Sequence, residues 1–227
     1  MEESTSLKVI FKEAENMRIV VASDLHGKER AIQSLNRFLN SPASKIDLLI
    51  ICGDITTFGN GKEARKILDS IETKVPMLAI PGNCDPPSVL RGIEESKAIL
   101  LHKRGWKMDD HLFVGYGGAQ TNETYGCTGP EAYSTLEKLV SGHPRKKVHL
   151  VFHAPAKGYL DNGLGNSIYR DFIEKYKPAT VFSGHIHEAK GWTRNSYTFF
   201  LNPGTAAAGH FSVVEIQGLD VRVVADV

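Results

Sequence analysis

At 227 residues, with 41 % hydrophobic and 23 % charged side chains, the chain has the length and composition of one globular α/β domain and is neither disordered nor fibrous. A net charge of +1 gives no electrostatic footing for nucleic acid or an anionic membrane, and no run approaches the roughly 18 apolar residues of a membrane span. The N-terminus, MEESTSLKVIFKEAEN, is polar and acidic and unlike a signal peptide, so a single domain over residues 1–227 in the cytoplasm is expected.

In chain order, short apolar runs bounded by Gly, Pro or Asp alternate with helical patterns. RIVVAS (18–23) reads as a buried strand, and KERAIQSLNRFLN (28–40) as the helix after it. DLLIIC (47–52) is a second strand, GKEARKILDSI (61–71) a second helix, and PMLAIP (76–81) a third strand. HLFVGYGG (111–118) and VHLVFH (148–153) are strand-like, with a helical pattern over GPEAYSTLEKLVSG (129–142) between them. NSIYRDFIEKYK (166–177) is helical and ATVFSG (179–184) a strand, after which EAKGWTRNS is polar and glycine-broken. The alternation predicts parallel βαβ units. YTFFLN, FSVVEI and LDVRVVA have strand character with no helices between them, so antiparallel strands are expected in the tail. Two long glycine-rich stretches, 115–129 and 153–166, are loops of the kind that often carry function. Cys52, Cys84 and Cys127 are odd in number and widely spaced, which argues against a disulfide framework or a zinc knuckle, and Cys52 reads as a small buried hydrophobe.

Residues able to ligate a metal fall at the carboxyl ends of the strands, where open α/β sheets place their sites. RIVVAS is followed by Asp24-Leu25-His26, DLLIIC by Gly53-Asp54, and PMLAIP by Gly82-Asn83-Cys84-Asp85. VHLVF ends in His153, and ATVFS in Gly184-His185-Ile186-His187. Each piece alone has an ordinary reading: Asp24 as an Asx cap, Gly53-Asp54 and Asn83 as turns, His153 as a satisfied buried histidine. Five strand ends carrying such residues together argue against all those readings at once. Two Asp, one Asn and four His form a mixed N/O donor set, suited to Mn, Fe, Zn, Ni or Co rather than to a thiolate site. His102, His111, His143, His149 and His210 fall outside the pattern and read as surface or packing residues.

The order D-x-H, G-D, G-N-x-D, H, G-H-x-H, with an Asn202-Pro203-Gly204 turn, closely resembles the calcineurin-like metallophosphoesterase superfamily over about residues 17–205. GDITTFGN and HAPAKG look most like its small prokaryotic Icc-like branch. The resemblance implies a four-layer α/β/β/α sandwich, two mixed β-sheets flanked by helices. It also implies two divalent metal ions, manganese favoured. Asp24, His26, Asp54 and His187 would hold one, and Asp54, Asn83, His153 and His185 the other, with Asp54 bridging. The implied reaction is hydrolysis of a small phosphate ester, first a phosphodiester such as a cyclic or small nucleotide, by a metal-bridging hydroxide. Asp54, Asn83 and Asp85 would be catalytic, and Asn83 and Cys84 would face the substrate. Two divalent ions outweigh two carboxylates and a hydroxide, and the residual positive charge suits phosphate.

Two departures narrow the reading. Many members carry a histidine general acid where this chain has Cys84, and a thiol of ordinary pKa near ~8.5 is a poorer acid. Poor leaving groups would then need another donor, Asp85 or a metal-bound water, although some Icc-like relatives share the cysteine. The run Gly53 to Gly59 also lacks the arginine of phosphoprotein phosphatases, and the chain is too short for the extra domains of the related repair nucleases. The rivals are a phosphomonoesterase on nucleotides or sugar phosphates and a non-catalytic scaffold of the same fold; the presence of all seven ligands favours an enzyme. Tyr116, Tyr125 and Tyr159 either stack on a base or pack their loops. Gly163-Leu164-Gly165 either offers N–H groups to an anion or precedes a plain helix cap at Asn166-Ser167. No membrane or nucleic-acid partner is expected, and a homodimer is the commonest assembly.

Overall fold

The computed structural model describes residues 16–42, 44–119 and 129–227. The first half winds through β1 (Asn16–Ala22), α1 (Glu29–Leu39), β2 (Leu48–Ile51), α2 (Gly61–Asp69), β3 (Met77–Ala79), α3 (Ser88–Glu94) and β4 (Ile99–Leu100). Each helix is a crossover, so β1, β2, β3 and β4 pair in parallel. The second half runs through β5 (Arg104–Met108), β6 (His111–Tyr116), α4 (Pro130–Val140), β7 (Val148–Phe152), α5 (Ser167–Tyr176), β8 (Thr180–Phe182), β9 (Gly191–Arg194), β10 (Phe199–Asn202), β11 (Ser212–Gln217) and β12 (Asp220–Asp226).

The strands form two six-stranded sheets, β12-β11-β1-β2-β3-β4 and β5-β6-β7-β8-β10-β9. Alternation along the strands explains the layers. In β1, Ile19 and Val21 join a core between the sheets with Phe113, Val151 and Phe182. Val20 and Ala22 face the other way, onto Leu35 of α1 and Ile67 of α2. In β7, Leu150 and Phe152 meet Leu136 of α4 and Phe172 of α5. Helices, sheet, sheet and helices therefore stack as four layers, as the resemblance implies.

The tail departs from expectation. β11 is antiparallel to β1 and β12, but YTFFLN supplies β10, which runs parallel to β8. Its antiparallel partner is β9, a short edge strand with a half-polar sequence that hydropathy does not reveal.

Candidate metal centre

β1, β2 and β3 are neighbours in one sheet, and β7 and β8 in the other, so their carboxyl ends open on one rim. Beyond the strands the first two loops remain tied: Asp24 N donates to Gly53 O at 3.0 Å, His26 N to Asp54 O at 2.8 Å and Gly27 N to Ile55 O at 2.9 Å. The turns are sharp. Asp24, His26, Asp54 and His185 are left-handed, with φ of 57°, 50°, 49° and 66°. Asp and His tolerate this better than most residues, at a cost on the order of 1–3 kcal/mol each. One fully buried Ile or Phe contributes roughly 1.5–3 kcal/mol, so the strands behind can hold the loops in place. Two glycines make room. A Cβ on Gly82 would collide with the Asp54 carboxylate, and one on Gly184 with the Ser23 hydroxyl and the Asp24 carboxylate.

The two carboxylates are almost sealed, Asp24 at 1 % and Asp54 at 3 % exposure, and so require positive partners. Asp24 Oδ1 lies 3.1 Å from His187 Nε2 and 3.9 Å from His26 Nε2. Asp54 Oδ2 is 3.8 Å from His26 Nε2, and its Oδ1 is 3.5 Å from His153 Nε2. The His185 ring packs 5.1 Å from that of His153, and its backbone N–H donates to Asp24 Oδ2 at 3.1 Å. Asp24, His26 and His187 place donor atoms within 4.8 Å of one another, as do Asp24, Asp54 and His153. Burial alone would raise both carboxyls; His187 for Asp24 and His153 for Asp54 override it and hold them below the usual range. Burial would likewise lower His153, but the Asp54 charge lifts it to about 9. His187 is raised by its bond to Asp24, and His185 is lowered by burial and by His153.

This donor set fits a cation. His153 Nδ1 is 2.7 Å from the Cys52 carbonyl, which can only accept, so that nitrogen carries a proton. Nε2 then faces Asn83 Oδ1 at 2.9 Å as well as Asp54 Oδ1, while the Asn83 amide nitrogen is turned to Cys84 Sγ at 3.4 Å. Three acceptor atoms converging in a buried place need positive charge between them. In the bare protein that is a proton on Nε2; a divalent ion supplies the same charge with the geometry of imidazole, amide and carboxylate ligands.

The calcineurin-like phosphoesterase family model matches residues 17–189. The chain belongs to that family. It is a metal-dependent phosphoesterase, and its family works with two metal ions. The protein MJ1162 of Methanocaldococcus jannaschii is 31 % identical over 201 residues, covering 82 % of this chain and 88 % of its own. A probable glycerophosphodiester phosphodiesterase, GpdQ, of Arcobacter nitrofigilis is 26 % identical over 199 residues, covering 75 % of this chain and 72 % of its own. The crystal structure of TT1561 of Thermus thermophilus superposes with a TM-score of 0.75 at 16 % identity, over 92 % of this chain and 98 % of that one, and shares its fold.

Other residues of the phosphoesterase take their places around this cluster. Asp85 is buried, and its Oδ1 accepts from Thr56 N and Thr56 Oγ1, both at 2.8 Å. Its Oδ2 accepts from Gly82 N at 2.8 Å and Ile55 N at 3.0 Å. The carboxylate thus ties the Asp54 loop to the Asn83 loop, while burial raises its pKa above the usual carboxylate range. Cys84 is half-buried; burial and the Asp54 charge push its thiol up to about 12. Sequence reasoning overlooked Thr56 and Thr205 and took Asn202 only as a mark of the family. Buried Asn202 donates to Ile186 O at 2.8 Å and accepts from Gly204 N at 2.9 Å, and Thr205 Oγ1 donates to Asp24 O at 3.0 Å. Together they fix the loops of Asp24 and His185.

Tyr116 is fully buried, and Tyr159 stacks on Phe200 with 3.8 Å between centroids, so both pack the fold; Tyr125 lies outside the described residues. Gly158 N and Gly165 N donate to the Asp161 carboxylate and Leu164 N to its carbonyl, so this loop satisfies its own N–H groups, and Asn166 simply caps α5. His102, His111 and His149 are buried packing residues away from the cluster. Among the described residues no helix is long and apolar enough to cross a membrane.

Proposed function

We propose that this phosphoesterase hydrolyses small phosphodiesters with two divalent ions, manganese favoured. Asp24, His26, Asp54 and His187 would hold one ion, and Asp54, Asn83, His153 and His185 the other. The observation that carries this reading is the convergence on His153 Nε2 of Asn83 Oδ1 at 2.9 Å and Asp54 Oδ1 at 3.5 Å. Divalent ions held there would polarise the phosphoryl oxygens and supply a nucleophilic water at neutral pH.

The chain's own groups prepare that chemistry. His153 donates its Nδ1 proton to the Cys52 carbonyl, which fixes the ring and aims Nε2 inward. Asn83 can turn its amide N–H toward a phosphoryl oxygen while its Oδ1 stays on the metal side. Cys84 N holds Asp54 Oδ1 at 2.7 Å, so the bridging carboxylate is already aimed. Neither Cys84, a weak acid, nor Asp85, engaged by four donors, supplies a proton readily. Esters with good leaving groups are therefore the best substrates. The diester preference is supported by the likeness to a probable glycerophosphodiester phosphodiesterase.

The test is hydrolysis of bis(p-nitrophenyl) phosphate against p-nitrophenyl phosphate by the manganese-loaded protein. Metal-dependent turnover with a higher kcat/KM on the diester supports the proposal. A higher kcat/KM on the monoester would reassign the substrate class, and no turnover with any divalent metal would leave a binding role.

A further inference from the structure

Phe58 lies four residues beyond Asp54 and is 72 % exposed, more than any other large apolar side chain among the described residues. Isolated surface hydrophobics are ordinary and call for no explanation. Phe58 differs because its φ is 55°, a conformation that suits Gly, Asn, Asp or His and strains a bulky residue. The ring buries little, so packing of the side chain does not impose that strain. Its neighbours do. Phe58 N donates to Cys84 O at 2.8 Å, and Gly59 N to Thr56 Oγ1 at 3.2 Å, the hydroxyl that also binds Asp85. Cys84 N in turn binds Asp54 Oδ1 at 2.7 Å. Two hydrogen bonds thus connect the Phe58 backbone to the carboxylate at the heart of the cluster, and the ring stands in solvent.

We propose that Phe58 is the platform of an organic-group subsite, stacking on a flat ring carried by the phosphate ester. This rests on the phosphoesterase reading and adds a substrate class to it: esters bearing a nucleobase or an aryl group, in preference to purely aliphatic ones. Stacking needs one exposed face, a fixed ring position and an anchor for the rest of the ligand. The solvent-facing ring offers the face, the hydrogen-bonded turn fixes the backbone that carries it, and the cluster two hydrogen bonds away would anchor the phosphate. Contacts of this kind are worth about tenfold or more in affinity.

Two non-hydrolysable probes separate the ring from the anion. Calorimetric titration of the manganese-loaded full chain with methylphosphonate and with phenylphosphonate should show the phenyl compound binding about tenfold tighter. Phe58→Ala should lose most of that preference while keeping its affinity for methylphosphonate, and Phe58→Trp should retain the preference. The Trp variant keeps the test open should the Ala variant fold poorly. An undiminished preference in Phe58→Ala, or its loss in Phe58→Trp, would overturn the subsite and leave the metal centre standing. Binding of neither phosphonate to the metal-loaded wild type would overturn the proposed two-metal phosphate site and the subsite together.

Discussion

Cys84 gives its backbone N–H to Asp54 Oδ1 across 2.7 Å, so the loop that carries Asn83 also aims the carboxylate proposed to bridge two ions. Gly82 leaves the space for this approach, since a Cβ there would meet the Asp54 carboxylate. Gly82→Ala should therefore displace Asp54 and weaken metal binding about 10–100-fold, the usual scale for losing a support of a metal ligand. Manganese titration by calorimetry measures it, and wild-type affinity in the variant would refute the role given to this contact.

Asp85 is assigned to structure. Asp85→Ala leaves the buried N–H groups of Ile55, Thr56 and Gly82 without their acceptor, at about 1–3 kcal/mol for each group that finds no substitute. Asp85→Asn retains part of the set and should lose less. Urea unfolding of the metal-free proteins is expected to rank wild type above Asn above Ala. If Asp85 were instead the proton donor, Asp85→Asn would unfold like wild type and lose turnover on alkyl esters.

The metal-free protein should weaken toward alkaline pH. His153 is raised from its ordinary 6.5 to about 9 in the folded state, so its stabilising contribution is complete below 6.5 and disappears as pH climbs through 9. Asp54 is depressed and behaves oppositely: its contribution is present above its ordinary 3.8 and is lost as pH falls below that value. A bound metal replaces the His153 proton, so the loaded protein should lose far less stability over the same alkaline range, and metal uptake should release protons. Urea midpoints of loaded and stripped protein across this range check the sign. A stripped protein that gains stability toward pH 9 would contradict it.

Cys84 should be a quiet thiol. Burial and the Asp54 charge push it up to about 12, so little thiolate exists at neutral pH. Alkylation by iodoacetamide at pH 8 should be slow in the native metal-free protein and fast after unfolding. Cys84→Ala should keep most activity on an aryl diester, whose leaving group needs little help from an acid. Complete loss of turnover in Cys84→Ala would contradict the space-filling role.

The rim of the site is legible in the sequence because strands buried on both faces read as apolar runs, and the residues closing them, Asp24, Asp54, Asn83, His153 and His185, stand out against those runs. Less of the architecture is visible. The edge strand β9 is half-polar because one face meets water, and β10, antiparallel to β9 as expected of the tail, also pairs in parallel with β8. Asp85 looks like a spare acid, and only the positions of Ile55, Thr56 and Gly82 reveal it as a clamp. Tyr159 looks free in a loop, and its burial against Phe200 depends on a strand 41 residues further along the chain. Phe58 is silent in the sequence because left-handed backbone at a non-glycine residue leaves no pattern of its own.

The most direct test of the two-metal account is the number of manganese ions bound per chain, counted by metal analysis after dialysis, in wild type and in Asp54→Asn. The Asp54 carboxylate lies 3.8 Å from His26 Nε2 and 3.5 Å from His153 Nε2. The account predicts two ions in wild type and a loss of affinity for both in Asp54→Asn, with hydrolysis of bis(p-nitrophenyl) phosphate lost in parallel. Two firmly held ions and undiminished turnover in Asp54→Asn would contradict it.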